Sequence, residues 1–297
     1  MQRRLIIVGD SHTVTFRPFD RDVLAIFHPG AVTADAFTRT SNDLTQQILS
    51  FLSCLNPDSG ALVLSMGEVD IRAHYWRDLP LLVSRGMPLE RIIESKVQAF
   101  VQAATAVCNH FGFQEAILWG PPASNIPGAA DNAEFPTTGD TVTRNILTHL
   151  FSRTCHAIAS AGHPRFRFAT LFYDMVNDDL DTEPGWLADG VHVAGQWKPR
   201  CLATLAPVVA GQTAAQAGDR LGRLNRRAFR LTTVPVTLAG SPATLPHRAW
   251  ISTAENPQIR LGDPTTAGFS LKQDVRSRGP DDDLAELVLR SSDEPQP

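Results

Sequence analysis

No stretch of this 297-residue chain approaches the roughly 20 consecutive apolar residues that a membrane span needs, so no bilayer-crossing role is expected. Neither sign of charge dominates. With 27 Lys and Arg against 31 Asp and Glu, the formal net charge is −4, and no excess of base points to a nucleic-acid partner. Cysteine is scarce: Cys54, Cys108, Cys155 and Cys201 lie far apart in apolar helical patterns and form no CxxC pair. That spacing argues against a zinc site or a redox couple, and predicts reduced, buried thiols acting as small hydrophobes. No glycine-rich phosphate loop, dinucleotide fingerprint, metal-ligand cluster or internal repeat is present, so neither a cofactor nor a metal is implied. After Arg3 and Arg4 the apolar stretch is only four residues long. This is too short for a signal-peptide core, and the expectation is a cytoplasmic protein.

What the chain does have is alternation. Leu5–Val8, Val23–Phe27, Ala61–Ser65, Ala116–Trp119 and Phe166–Thr170 are short, continuous apolar runs that end in Gly, Pro or polar residues, as strands buried on both faces do. Between them lie helical patterns. Ser41 and Asn42 can cap a helix whose apolar positions are Leu44, Ile48, Leu49, Leu52 and Leu55. Pro88 opens a long helix from about Leu89 to Phe111, with Gly112 placed as its C-terminal cap. Further helices are expected from about Asp140 to Ala161, and from Trp197 or Lys198 to about Gly211. Strand and helix alternating in this way predict a mostly parallel sheet covered on both faces, with all strand C-termini on one edge. Ligands bind at that edge in open α/β sheets.

Three short stretches fall where that edge is expected: Gly9-Asp10-Ser11-His12, Gly67-Glu68-Val69-Asp70 and Asp189-Gly190-Val191-His192. Ser11 follows the first strand directly. Asp189 and His192 offer a carboxylate and an imidazole three residues apart. A nucleophile, a base and a group to orient that base are the minimum for acyl transfer. Each has an ordinary reading alone, a turn serine or a loop histidine. Their order and offsets together carry the functional one. His12 reads as a pocket-lining neighbour rather than the base, and Asp10 as a residue that ties down the turn through backbone bonds.

This ordered set resembles the SGNH (GDSL-like) hydrolase superfamily, matching its first block at Gly9-Asp10-Ser11 and its final Asp-x-x-His at Asp189 and His192. The resemblance covers about the first two-thirds of the chain. It implies a three-layer α/β/α sandwich with a mostly parallel, flavodoxin-like sheet. It also implies catalysis by Ser11, Asp189 and His192, with oxyanion donors at the backbone N–H groups of Ser11 and Gly30. The third block departs from the family pattern. Where relatives carry Gly-x-Asn-Asp, this chain has Gly67-Glu68-Val69-Asp70, and valine cannot donate to an oxyanion. The continuation through Arg72 and His74 makes a variant block. Glu68, Arg72 and His74 are therefore possible substrate or oxyanion contacts, Arg72 being expected to pair with a neighbouring acid.

The expected activity is that of a serine esterase or deacylase acting on an acyl ester of a small molecule or carbohydrate. Acyl transfer to a sugar hydroxyl and a non-catalytic glycan- or protein-binding domain are the alternatives. Tyr75, Trp76 and Trp119 are expected in the core or at a pocket rim. Residues 1–217 are assigned to this domain and 218–297 to a C-terminal extension. Within the extension, the arginines between 220 and 230 suggest a solvated helix face. Thr232–Leu238 and Phe269–Leu271 suggest β structure, Leu284–Leu289 a last strand or helical turn, and Ser291–Pro297 a disordered tail. Oligomeric state is not legible.

Overall fold

The computed structural model of the chain describes residues 4–16, 23–75, 89–124, 141–161, 163, 165–210, 228–238 and 241–251. Five strands, β1 (Arg4–Gly9), β2 (Val23–Phe27), β3 (Gly60–Ser65), β4 (Ala116–Trp119) and β5 (Phe166–Ala169), form one sheet in the order β2-β1-β3-β4-β5. Every pairing in it is parallel. The last strand stops one residue short of the expected Thr170, whose hydroxyl instead accepts the N–H of Phe172 and starts a turn.

The strands are apolar throughout because both faces are covered. Ile6, Ile7 and Val8 of β1 and Leu62, Val63 and Leu64 of β3 have no exposed surface. The covering layers follow from connectivity. The chain leaves β1 towards β2 in one direction, then crosses back to β3 and steps on to β4 and β5 in the other. Right-handed crossovers place these two directions of travel on opposite faces. On one face, the 3₁₀ turn Ser11–Phe16 touches α6 (Lys198–Val209), the last helix among the described residues. On the other, α1 (Ala34–Phe37), α2 (Asp43–Ser53), α3 (Leu89–Phe111) and α4 (Thr141–Ser160) touch one another in turn. A further short helix, α5 (Phe172–Met175), follows β5. The result is the expected three-layer α/β/α sandwich with flavodoxin-like strand order.

Local signals act as anticipated at several ends. The Asn42 side chain caps α2 by accepting the N–H groups of Leu44 and Thr45, and Ile48 and Leu52 are buried on its inner face. The α3 helix buries Ile92, Ile93, Val97, Phe100, Ala104 and Val107 against the sheet and α4, with Phe100 at 6.4 Å from Phe151. Cys108, Cys155 and Cys201 are buried free thiols, but Cys54 corrects the expectation: it sits exposed just past α2. The end of α2 turns it out of the core, where its thiol lies 3.4 Å from the Ser50 carbonyl.

Beyond the sandwich, β6 (Ala228–Leu238) and β7 (Ser241–Ile251) pair with each other as an antiparallel hairpin and not with the main sheet. This includes Thr232–Leu238 as expected, while Arg230 lies in a strand rather than on a helix face. Trp76, the arginines at 220–227 and the expected elements beyond Ile251 lie outside the described residues. Among the described residues, no helix is long and apolar enough to cross a membrane.

Candidate active site

The site is built at the C-terminal end of β1, where Gly9 lets two backbones meet. A Cβ at Gly9 would stand 1.8 Å from the carbonyl oxygen of Ser65, so only glycine fits. Immediately after it, the Asp10 N–H donates to that same carbonyl at 2.9 Å, and the Asp10 carboxylate accepts the N–H of His12 at 3.0 Å. The chain then tightens into the 3₁₀ turn that begins with Ser11. Asp10 thus serves the turn-tying role read from sequence. Burial pushes its carboxyl up to about 7, with His12 opposing and the nearby carboxylates of Glu68 and Asp70 reinforcing the rise.

The partners of Ser11 arrive from the loop ahead of α6, which is folded as a small closed hairpin. Leu187 and Val193 form a β-bridge, and backbone bonds join Ala188 to His192 and Ala194 to Trp186. Trp186 stacks on Trp197 with ring centroids 4.0 Å apart, closing the base of the loop. At its tip Gly190 adopts φ +84°, which lets the chain reverse between Asp189 and His192. One carboxylate oxygen of Asp189 accepts the N–H groups of Val191 (3.0 Å) and His192 (2.7 Å), and the other accepts His192 Nδ1–H at 2.6 Å. Partial burial alone would raise the Asp189 carboxyl, but these donors outweigh it and hold the group at about 2.

His192 Nε2 lies 2.7 Å from Ser11 Oγ, although 181 residues separate them in sequence. Thr15, four residues after Ser11, donates its hydroxyl to the Val193 carbonyl at 3.3 Å and fastens the two segments together. The hydroxyl, the imidazole and the carboxylate named from the sequence are therefore one continuous hydrogen-bonded line. Gly30 stands just beyond β2, also a C-terminal strand end, and no atom lies within 4 Å of where its Cβ would be.

The third block lies differently from a substrate-facing arrangement. Asp70 turns away and accepts the N–H groups of Ala34 (2.6 Å) and Asp35 (3.1 Å), which fixes the segment following Gly30. Glu68 and Arg72 are both buried and joined at 2.7 Å, the acid pairing anticipated for Arg72. The other Glu68 oxygen is 3.3 Å from His12 Nε2, an ion-pair distance whose angle falls short of a hydrogen bond. Burial would raise the Glu68 carboxyl, but His12 and Arg72 prevail and hold it at about 2. His74 ends the same π-helical turn and is half-buried. Tyr75 is buried in the core, and Trp119 packs edge-on against Phe16 at 5.7 Å.

Two positions that the sequence did not single out for this purpose help to build the site. Thr15 carries no signal beyond its distance from Ser11. His12, read as a pocket-lining neighbour, lies with its ring centroid 5.1 Å from that of His192. Among the described residues, no group of three or more His, Cys, Asp or Glu could hold a metal ion.

No protein-family model matches the chain, and no curated protein sequence matches it. Solved structures similar to it include a candidate platelet activating factor from Streptococcus pneumonia, 14% identical, covering 70% of this chain and 85% of its own, with a TM-score of 0.47. A candidate acylhydrolase from Bacteroides fragilis NCTC 9343 is 17% identical over 70% of this chain and 87% of its own, with a TM-score of 0.43. An extracellular lipase from Streptomyces rimosus is 11% identical over 71% of this chain and all of its own, with a TM-score of 0.42. Likeness at this level transfers no residue role.

Proposed function

We propose that this chain is an SGNH-type serine acyl-transfer enzyme, acting as an esterase or deacylase on an acyl ester of a small molecule or carbohydrate. The observation that carries the reading is the unbroken line from Ser11 Oγ through His192 to Asp189, at 2.7 and 2.6 Å. Those contacts match the demands of a nucleophile, its general base and the group that orients the base.

In the reaction, Ser11 Oγ bonds to the acyl carbonyl carbon as its proton passes to His192 Nε2. The carbonyl π pair moves onto oxygen, giving a tetrahedral oxyanion. Asp189 keeps the imidazole in the tautomer with Nδ1–H and balances the positive charge that forms. The oxyanion pair returns, the ester C–O bond breaks, and His192 gives its proton to the departing alkoxide. The acyl group remains on Ser11. Water then repeats the sequence, with His192 again the base, releasing the acid and restoring the serine hydroxyl. The backbone N–H groups of Ser11 and Gly30 are assigned to the oxyanion. Val69 supplies no third donor, and each missing donor typically lowers the rate about a hundredfold or more.

A fluorophosphonate probe tests the assignment. Mass spectrometry is expected to place the label on Ser11, and Ser11→Ala to lose both labelling and at least about a thousandfold in ester hydrolysis. An unlabelled Ser11, or an unchanged rate in the alanine variant, overturns it. Product analysis with added sugar alcohols distinguishes transfer from hydrolysis.

A further inference from the structure

Glu68, Arg72 and His12 form an internal charged unit that the acyl-transfer steps above do not use. All three side chains are buried: His12 is 3% exposed, Glu68 5% and Arg72 5%. Charges this far from water persist only when paired, and the pairing is explicit. Arg72 reaches Glu68 at 2.7 Å, Glu68 reaches His12 at 3.3 Å, and the His12 ring meets the His192 ring at 5.1 Å with a 42° tilt. The chain of contacts therefore begins within the variant third block, at Arg72 and Glu68, and ends on His192.

We propose that His12, clamped by the buried Glu68–Arg72 pair, is a positioning residue of the Ser11 site: its ring backs the His192 imidazole from the interior and fixes the plane in which that imidazole meets Ser11. The proposal rests on the acyl-transfer reading and names what this chain has built in the third block. His12 is not itself the base, because His192 holds Ser11, while His12 Nε2 faces Glu68 and His12 Nδ1 is buried without a hydrogen-bond partner.

The surroundings of His12 decide its charge. Asp10 lies on its own turn, with Asp70 close behind. Glu68 and Arg72 come from the segment after β3, and His192 with Asp189 from the loop before α6. Cys201 on α6 faces it across a small cavity also lined by Phe16, Trp119 and Val193. Burial disfavours the imidazolium and Arg72 opposes it, but Glu68 and Asp10 prevail and raise the His12 pKa above its ordinary value. Cys201 stays a neutral thiol, pushed up to about 12 by burial.

The test compares wild type, His12→Ala, which removes the ring, and His12→Phe, which keeps a flat one, on p-nitrophenyl acetate, with each rate divided by the amount of fluorophosphonate-labelled Ser11. His12→Ala is expected to lower kcat by about tenfold with KM little changed, and His12→Phe to recover most of that loss. A purely structural role would lower the labelled fraction and leave kcat per labelled serine unchanged. As a check independent of variant folding, NMR of the wild-type chain is expected to show through-space contacts between the His12 and His192 ring protons. If Ser11 takes no fluorophosphonate and wild type hydrolyses nothing, the acyl-transfer reading falls and this inference with it. If Ser11 is labelled and wild type is active, an unchanged kcat in folded His12→Ala, a folded His12→Phe as slow as His12→Ala, or the absence of those ring contacts overturns the His12 role alone.

Discussion

At the residue scale, the candidate site depends on one missing side chain. Gly9 lies against the Ser65 carbonyl so closely that a methyl group at Gly9 would overlap its oxygen. Gly9→Ala must push β1 away from β3, and tight cores resist such overpacking at a cost of about 3 kcal/mol or more. Urea unfolding is expected to show that loss, and any folded fraction to label poorly with fluorophosphonate because Ser11 is displaced from His192. A variant as stable and as reactive as wild type would contradict the close-approach argument. The residues of this scale were unequally legible. Ser11, Asp189 and His192 stand in short local patterns, and the structure brings the three together. The contact of Glu68 with His12 spans 56 positions, and no local pattern encodes it. Cys54 misled because its helical apolar context says nothing of the point where α2 ends.

Elements position residues in turn, and α4 adds buried polar contacts to its apolar ones. The Asn145 side chain accepts the Ser124 N–H at 2.8 Å and donates to the Leu180 carbonyl at 2.7 Å and the Thr182 hydroxyl at 3.0 Å. Thr182 in turn donates to the Ser124 carbonyl at 2.6 Å. This buried knot joins the segment after β4 to the loop after α5, and it holds Leu180 at φ +61°, a conformation a branched side chain rarely takes. Asn145→Ala strands several buried polar groups at about 1–3 kcal/mol each, so a total near 3–5 kcal/mol is expected by chemical denaturation. A loss below about 1 kcal/mol would show that the knot is not structural. The strands and long helices could be read because continuous apolar runs and helical spacing are local. The 3₁₀ turn at Ser11, the π turn at Asp70–His74 and the short helices α1 and α5 could not. They are fixed by partners elsewhere, as Asp70 fixes Ala34 and Asp35.

For the whole molecule, the buried charges set a pH dependence. Asp10 and Asp70 are raised to about 7 and about 6, so the folded chain retains protons that the unfolded chain releases above about 4, and stability declines as pH climbs through that window. His12 acts in the same sense. Its folded pKa is raised, so its contribution is complete below the unfolded value and is lost as pH rises through the folded one. Glu68, depressed to about 2, contributes above its ordinary value and loses that contribution as pH falls towards 2. The thermal midpoint is thus expected to peak near pH 4 and to be lower by several degrees at pH 8. A midpoint that is flat or rising over that interval would contradict the assignment.

The hairpin that carries Asp189 and His192 is closed upon itself, by the Leu187–Val193 bridge, the stacked tryptophans and the carboxylate bonds to its own backbone. Asp189 and His192 are therefore held to each other as a single piece. A shift of that piece would leave their mutual alignment intact, but it would have to break the Thr15–Val193 bond and part the His12 and His192 rings as it lengthened the span to the serine oxygen.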